Sequence, residues 1–119
     1  MEIRSKKKSG AKEVDFLLNN FKFEFPKGFR EFYLKNDGAY IVTENKYIEL
    51  WTLDEMETLN KEYLVHEYIP EYYFFGTDGG GMGFAIQKQT GLIFEIPFIG
   101  MFEFQKFICK TFVEFLNWT

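Results

Sequence analysis

The sequence predicts an α+β domain in which helices pack on a central antiparallel β-sheet, with N-terminal helices first and a C-terminal amphipathic helix last. Apolar residues recur at helical spacing near both termini and once in the middle of the chain. Short β-branched and aromatic runs, separated by turn residues, fill the intervening segments. Strands that follow one another without alternating helices favour antiparallel pairing over βαβ units.

Two helices are predicted in the first third of the chain. The first spans residues 13–21, where four apolar side chains recur at helical spacing: Val14, Leu17, Leu18 and Phe21. Pro26 suits the first turn of the second helix because its φ is already fixed near the helical value. Asn36-Asp37-Gly38 is expected to end that helix.

A β-hairpin and a third helix are predicted next. Residues 40–43 and 46–51 are strand-like runs joined by two polar residues. Thr52 and Glu55 have the spacing of a capping box, in which each side chain bonds the backbone N–H of the other residue. The third helix is therefore expected to begin at Leu53.

Three strands and a closing helix are predicted in the second half, with the strands at residues 72–76, 82–88 and 92–98. The side chains expected to face the core from the last strand alternate along it: Leu92, Phe94, Ile96 and Phe98. Pro97 cannot donate to a ladder and indicates a sheet edge or a strand end. The C-terminal helix is predicted from one apolar stripe: Phe104, Phe107, Ile108, Phe112, Phe115 and Leu116.

Composition indicates one folded domain of 119 residues, with 46% hydrophobic and 21% aromatic residues, which excludes intrinsic disorder. Residues 1–11 are expected to form a flexible basic tail before a single domain at residues 12–119. A single cysteine excludes an internal disulfide, and the N-terminus lacks the pattern of a signal peptide, so a cytoplasmic location is expected. The most apolar window, residues 92–102, is too short to span a membrane.

Charge is unevenly distributed along the chain, although the net charge is only -4. Residues 44–78 contain nine acidic residues against two basic ones. Nucleic acid is not expected as a partner, because phosphate contacts need clustered Lys and Arg. An acidic face would instead attract a basic partner. The alternative is that these carboxylates only solvate the exposed side of a helix and its loops.

The most unusual segment is a glycine-rich loop: Gly76, Thr77, Asp78, Gly79, Gly80 and Gly81. Nucleotide binding is disfavoured because no phosphate-loop spacing fits and a strand follows the loop. The simpler interpretation is a tight connection in which several residues need a positive φ or a close backbone approach. A loop that contacts a partner through Asp78 and its open amides remains the alternative.

No catalytic, metal or cofactor site is expected. His66 is the only histidine and has no adjacent nucleophile in the sequence, and Cys109 has no obvious activating base. The carboxylates of Asp54, Glu55 and Glu57 are explained by their position at a helix N-terminus.

The chain resembles the Smi/Knr family of the SUKH superfamily over roughly residues 25–118. Residues 25–38 are similar to the family's opening motif, and residues 48–51 to its "i-x-l-w/y" strand. Residues 74–86 resemble the "IGSDGGG-x-x-(Y/F)-AF" signature. Residues 96–98 and 104–116 are similar to its "V-P-F" strand end and its closing helix.

The resemblance implies a non-catalytic α+β domain, because bacterial members are regarded largely as immunity proteins that neutralise a cognate toxin, often a nuclease. The acidic residues expected to contact a basic toxin are Asp54, Glu55, Glu57, Glu62, Glu67, Glu71 and Asp78. Trp51 is a candidate aromatic anchor, and packing in the core is the favoured alternative for it. The alternatives are a small-ligand-binding or enzymatic domain that uses the loop from Asp78 to Gly83, and a regulatory scaffold of the cell-wall-regulator type.

Overall fold

A computed structural model describes residues 1–118, in which seven strands form one sheet and five helices accompany it. The strands are β1 (Glu2–Lys7), β2 (Asp37–Val42), β3 (Tyr47–Leu50), β4 (Tyr72–Thr77), β5 (Met82–Gln87), β6 (Ile93–Pro97) and β7 (Lys106–Cys109). The helices are α1 (Ala11–Asn19), α2 (Phe29–Lys35), α3 (Leu53–Glu62), α4 (Val65–Tyr68) and α5 (Phe112–Trp118).

Every strand pairs antiparallel with the next strand along the chain, so the order in the sheet is the order in the sequence. The hairpin of β2 and β3 pairs Val42 with Tyr47 across the predicted turn. Because the sheet is antiparallel and helices follow β1, lie in the middle of the chain and follow β7, the predicted α+β class is confirmed.

The core is built largely from aromatic rings that join the helices to the sheet. The ring of Phe29 in α2 contacts that of Phe112 in α5, with centroids 5.2 Å apart, and Phe75 in β4 contacts Phe115 at 5.3 Å. The buried Tyr33 hydroxyl donates to the Trp51 carbonyl at 2.8 Å. The Phe29–Phe112 and Phe75–Phe115 pairs are edge-to-face, and such packing adds about 0.5–1.5 kcal/mol per pair beyond the burial of the rings.

Helix α3 begins where the sequence predicts, and a buried amide attaches it to the sheet. The Asn60 side chain donates to the Phe74 carbonyl at 2.8 Å and accepts from the Phe74 N–H at 2.9 Å. These bonds pair the backbone carbonyl and N–H of Phe74 in β4, which would cost free energy if they were buried without partners. The orientation of α3 on the sheet is therefore fixed.

The prediction of a flexible N-terminal tail differs from the structure. Residues 2–7 form strand β1 at one edge of the sheet, where Ile3 pairs with Ile41 and Ser5 with Ala39. The strand lacks apolar periodicity because nearly all of its side chains are exposed. Its order comes from backbone pairing with a distant strand, and a local sequence pattern does not reveal such pairing.

The predicted C-terminal helix is half wrong. Residues 106–109 form β7, and only residues 112–118 are helical. Phe104 and Phe107, which belong to the predicted apolar stripe, are exposed, whereas Phe112 and Phe115 are buried. Aromatic residues spaced by three on an exposed loop and an edge strand therefore imitated helical periodicity.

The predicted inward face of β6 is also partly wrong. Ile93 is buried instead of facing outward, and Phe94 is only partly buried. The pairing of β6 with β5 is regular and places Ile93 opposite the buried Ile86, so both faces of β6 contribute side chains to the core. Pro97 is the last residue of β6 and marks a strand end, as one of the two predicted alternatives had it.

Candidate functional site

Two acidic residues in the first turn of α3 and one on β3 contact lysines of strand β1. The Lys6 Nζ lies 2.6 Å from the Glu49 carboxylate on β3 and 3.0 Å from the Glu55 carboxylate. The Lys7 Nζ lies 3.2 Å from the Asp54 carboxylate. We call Glu49, Asp54 and Glu55 the proximal acidic cluster. Its charge is largely neutralised within the domain, so Asp54 and Glu55 are poor candidates for partner contacts.

Glu55 has a second structural role as part of a capping box. Its backbone N–H donates to the Thr52 hydroxyl at 3.1 Å, and its carboxylate accepts from the Thr52 N–H at 2.9 Å. Burial acts to raise the pKa of Glu55, but the hydrogen bonds from Thr52 and Lys6 outweigh it and lower the pKa. The ionised form of Glu55 is therefore favoured by folding.

A buried carboxylate that the sequence reading missed also holds this end of α3. Asp37 is fully buried, accepts from the Leu53 N–H at 2.9 Å and accepts from the Ser9 hydroxyl at 2.7 Å. The Lys7 Nζ lies 3.8 Å away. The sequence had suggested only a helix stop at this position, because nothing local indicates that it faces the start of a helix sixteen residues later.

The other end of α3 is different, because its carboxylates face solvent. We call Glu62, Glu67 and Glu71 the distal acidic segment; they lie at the last residue of α3, on α4 and immediately before β4, and all three are exposed. Within residues 1–118 none of them forms an ion pair. Glu57 is also exposed and pairs with Lys61 at 3.3 Å. The distal acidic segment therefore contains three carboxylates of the predicted acidic face that have no ion pair among residues 1–118.

Trp51 is not an exposed anchor, which corrects the prediction for this residue. Only 3% of it is accessible, and its ring stacks with those of Tyr63 and Phe98 at centroid distances of 6.4 Å. Tyr63 and Phe98 in turn stack on each other at 4.2 Å. Tyr63 and Phe98 therefore lie between Trp51 and solvent.

The glycine-rich loop connects β4 to β5 and satisfies its own polar groups. One oxygen of the Asp78 carboxylate accepts from the Gly80 N–H at 2.7 Å and from the Met82 N–H at 3.1 Å. Gly81 has a φ of +100°, which a residue with a side chain would adopt only with strain. At Gly76 a Cβ would lie 2.5 Å from the Glu49 carbonyl oxygen. These contacts support the interpretation as a tight connection.

An open groove of about 450 Å³ lies next to Asp78. The Lys46 ammonium, which lines it, lies 3.2 Å from the centre of the Trp118 ring, a cation–π contact. The Asp78 carboxylate already bonds the loop amides, so its role in the structure is to hold the loop. The groove is the feature that the small-ligand alternative would have to use.

A larger cavity, of about 710 Å³, lies between α1, α3, α4 and β4. Tyr73 lines it, and the buried hydroxyl of this residue has no hydrogen-bond partner in the described part of the chain. Burial raises the pKa of Tyr73, so its hydroxyl stays protonated. Both signs of charge lie around the cavity, from Glu57, Lys61 and Lys88, so no single class of ligand is indicated.

The residues with potential for catalysis are separated in the structure. His66 is exposed on α4, whereas Cys109 is buried in β7. Burial raises the pKa of the Cys109 thiol to about 11, which keeps it protonated at neutral pH. Among residues 1–118 no three His, Cys, Asp or Glu side chains lie close enough together to hold a metal ion. None of the helices described is long and apolar enough to cross a bilayer.

These features define a class of protein: a small α+β domain with a meandering antiparallel sheet, a self-bonded glycine hairpin and an exposed acidic segment beside the third helix. Over residues 11–118 the chain matches the SMI1 / KNR4 family (SUKH-1), and it belongs to that family. The resemblance seen in the sequence motifs is therefore confirmed. No curated protein matches the chain.

Proposed function

We propose that this protein is a non-catalytic binding module, an immunity protein that neutralises a cognate toxin with a basic surface, such as a nuclease. The observation that carries the proposal is the distal acidic segment, in which Glu62, Glu67 and Glu71 are exposed and unpaired within residues 1–118. Membership of the SUKH-1 family supports it. We expect the complex to form in the cytoplasm, where the lone Cys109 stays reduced.

The position of Glu62 supports a role outside folding. It is the last residue of α3, where the carbonyl end of the helix carries partial negative charge. A carboxylate at this end costs about 0.3–1 kcal/mol, whereas the carboxylates at the start of α3 are stabilising. Local helix stability therefore does not account for Glu62, and attraction of a basic partner does.

The distal acidic segment would accelerate association with a basic partner by electrostatic steering. A nuclease must present Lys and Arg to the phosphates of its substrate. Carboxylates that lack internal partners keep their field in solution and accelerate encounter with such a surface. The proximal acidic cluster contributes less, because Lys6 and Lys7 offset two of its three negative charges.

A regulatory scaffold would use the same surface without a toxin, so the toxin itself is the deciding reagent. If the neighbouring gene encodes a large secreted protein with a nuclease-like C-terminus, the experiment expresses this chain together with that C-terminal toxin domain. The wild type is expected to restore growth, and the purified pair to form a stoichiometric complex. Failure of the wild type to protect would contradict toxin neutralisation and favour the scaffold.

Charge reversal tests the surface. The triple variant Glu62→Lys, Glu67→Lys and Glu71→Lys is expected to lower the association rate at low salt at least about tenfold. The matched control has the same net charge and reverses three exposed carboxylates elsewhere that form no ion pair among residues 1–118: Glu13→Lys, Glu24→Lys and Glu31→Lys. Stopped-flow measurements that give equal rates for the two variants would refute the distal acidic segment as the contact surface.

A further inference from the structure

An exposed apolar surface lies on the connection between β6 and β7. Ile99 is 93% exposed and Phe102 is 78% exposed, although both are large hydrophobic residues. They line a shallow depression of about 380 Å³ together with Tyr68, Phe98, Met101 and Glu103. We call Ile99, Phe102 and Tyr68 the apolar patch. Exposed apolar residues that surround one depression are typical of an interaction site, whereas single apolar residues scattered over a surface are ordinary.

The apolar patch adjoins the distal acidic segment. Tyr68 follows Glu67 directly on α4. Phe98, which lines the depression, stacks on Tyr63, the residue after Glu62, at 4.2 Å. Glu62 and Glu67 are therefore next in sequence to aromatic residues that line the depression or cover its wall, and the two surfaces adjoin at these positions.

The loop that carries the patch is held in place before any partner arrives. The Glu103 and Phe104 N–H groups both donate to the Gly100 carbonyl, at 3.0 and 3.2 Å. The Gln105 amide donates to the carbonyl of the buried Met101 at 2.7 Å. A rigid loop loses little conformational entropy on binding, which is the property expected of a contact surface.

We propose that the apolar patch is the centre of the interface with the basic protein toxin, and that Ile99 and Phe102 insert into the partner. The inference rests on the proposed function and extends it. Buried aromatic and aliphatic anchors surrounded by polar contacts supply most of the affinity of such interfaces. The distal acidic segment then acts as the border that steers association and the patch as the centre that retains the partner.

The charge around the apolar patch favours a basic protein as its partner over a second copy of this chain or an anionic membrane. Among residues 1–118 Glu103 is the only charged residue that lines the depression, and Glu62 and Glu67 directly precede Tyr63 and Tyr68 beside it. A second copy of this chain would bring like charges together, which is unfavourable. A membrane with anionic lipids would repel the same carboxylates. A protein with a basic surface around an apolar pocket fits both features.

The test measures binding of the purified toxin domain encoded by the neighbouring gene to two variants. The double variant Ile99→Ser and Phe102→Ser is expected to dissociate at least tenfold faster with nearly unchanged association. The control, Phe16→Ser and Val113→Ser, changes two apolar residues that are exposed on α1 and α5 and is expected to bind as the wild type does. Urea denaturation verifies that both remain folded, and the single variant Phe102→Ala replaces the double variant if it does not.

Each outcome decides the proposal. Equal dissociation of wild type and double variant overturns the apolar patch and leaves the proposed function intact. A toxin that does not bind the wild type overturns both proposals. Sedimentation that shows a wild-type dimer lost in the double variant assigns the patch to a second copy, and wild-type binding to vesicles of phosphatidylserine assigns it to a membrane; either result overturns the toxin as occupant.

Discussion

The two ends of helix α3 carry the same type of residue in opposite circumstances. At its first turn Asp54 and Glu55 contact lysines of β1, and the capping box uses Glu55. At its last residue Glu62 faces solvent without an ion pair among residues 1–118. A run of acidic residues in the sequence therefore does not by itself define an acidic surface. Lysines on a distant strand can pair with the carboxylates at one end of a helix and leave those at the other end free.

The contrast separates stability from binding in one element. Carboxylates at the positive end of the helix dipole stabilise α3, and those at its negative end oppose it. Mutation of the proximal acidic cluster should consequently change the free energy of unfolding. Mutation of the distal acidic segment should instead change the affinity for the partner.

Replacing Asp37 by alanine is the largest expected disruption at the proximal end. The variant leaves the buried Leu53 N–H and Ser9 hydroxyl without their acceptor. The free energy of unfolding is expected to fall by about 3 kcal/mol, measured by urea denaturation. Glu71→Ala in the distal acidic segment is the control and should change it by less than about 0.5 kcal/mol. Comparable losses in both variants would contradict the contrast.

The same substitution at Glu55 and Glu62 compares the two ends of α3 directly. Glu55→Ala removes the capping box and the ion pair with Lys6, so the free energy of unfolding should fall by about 1 kcal/mol. Glu62→Ala should raise it by about 0.3–1 kcal/mol, because the variant removes a carboxylate from the negative end of the helix dipole. Thermal denaturation of the two variants side by side measures the difference, and a reversed order would disprove it.

The pH dependence of stability is the smallest expected effect. The pKa of Glu55 is lowered from 4.5 on folding, so its ionised form stabilises the domain above that pH. This contribution disappears as the pH falls through the lowered pKa of the folded state. The stability difference between wild type and Glu55→Gln should therefore shrink below pH 4.5 in urea titrations at successive pH values. A difference that stays constant below pH 4.5 would contradict this origin of the stabilisation.

Local signals predicted the elements whose determinants lie within a few residues. Thr52 and Glu55 fixed the start of α3, and the strands from residue 72 to residue 97 lie where turn residues bound them. Phe104 and Phe107 misled the prediction of the last helix, because spacing alone cannot tell an edge strand followed by a helix from one continuous helix. Trp51 misled the site prediction, because aromatic residues serve both cores and interfaces.

The candidate site was predictable only in part. The sequence indicated an acidic region that includes Glu62, Glu67 and Glu71, and whether these residues bind a partner stays a prediction. It gave no sign that Ile99 and Phe102 would be exposed, because apolar residues between two strands are usually core. It also could not indicate that Lys6 meets Glu49 and Glu55, since these contacts span more than forty residues.

By itself the sequence determined the α+β class, the family motifs, the helix cap at Thr52 and the excess of negative charge in the middle of the chain. Only the tertiary structure decided which carboxylates remain free and which aromatic rings reach solvent. The physical reason is range: caps, turns and periodicity act over a few residues, whereas ion pairing with β1 and burial beneath Tyr63 and Phe98 depend on segments that meet only after folding.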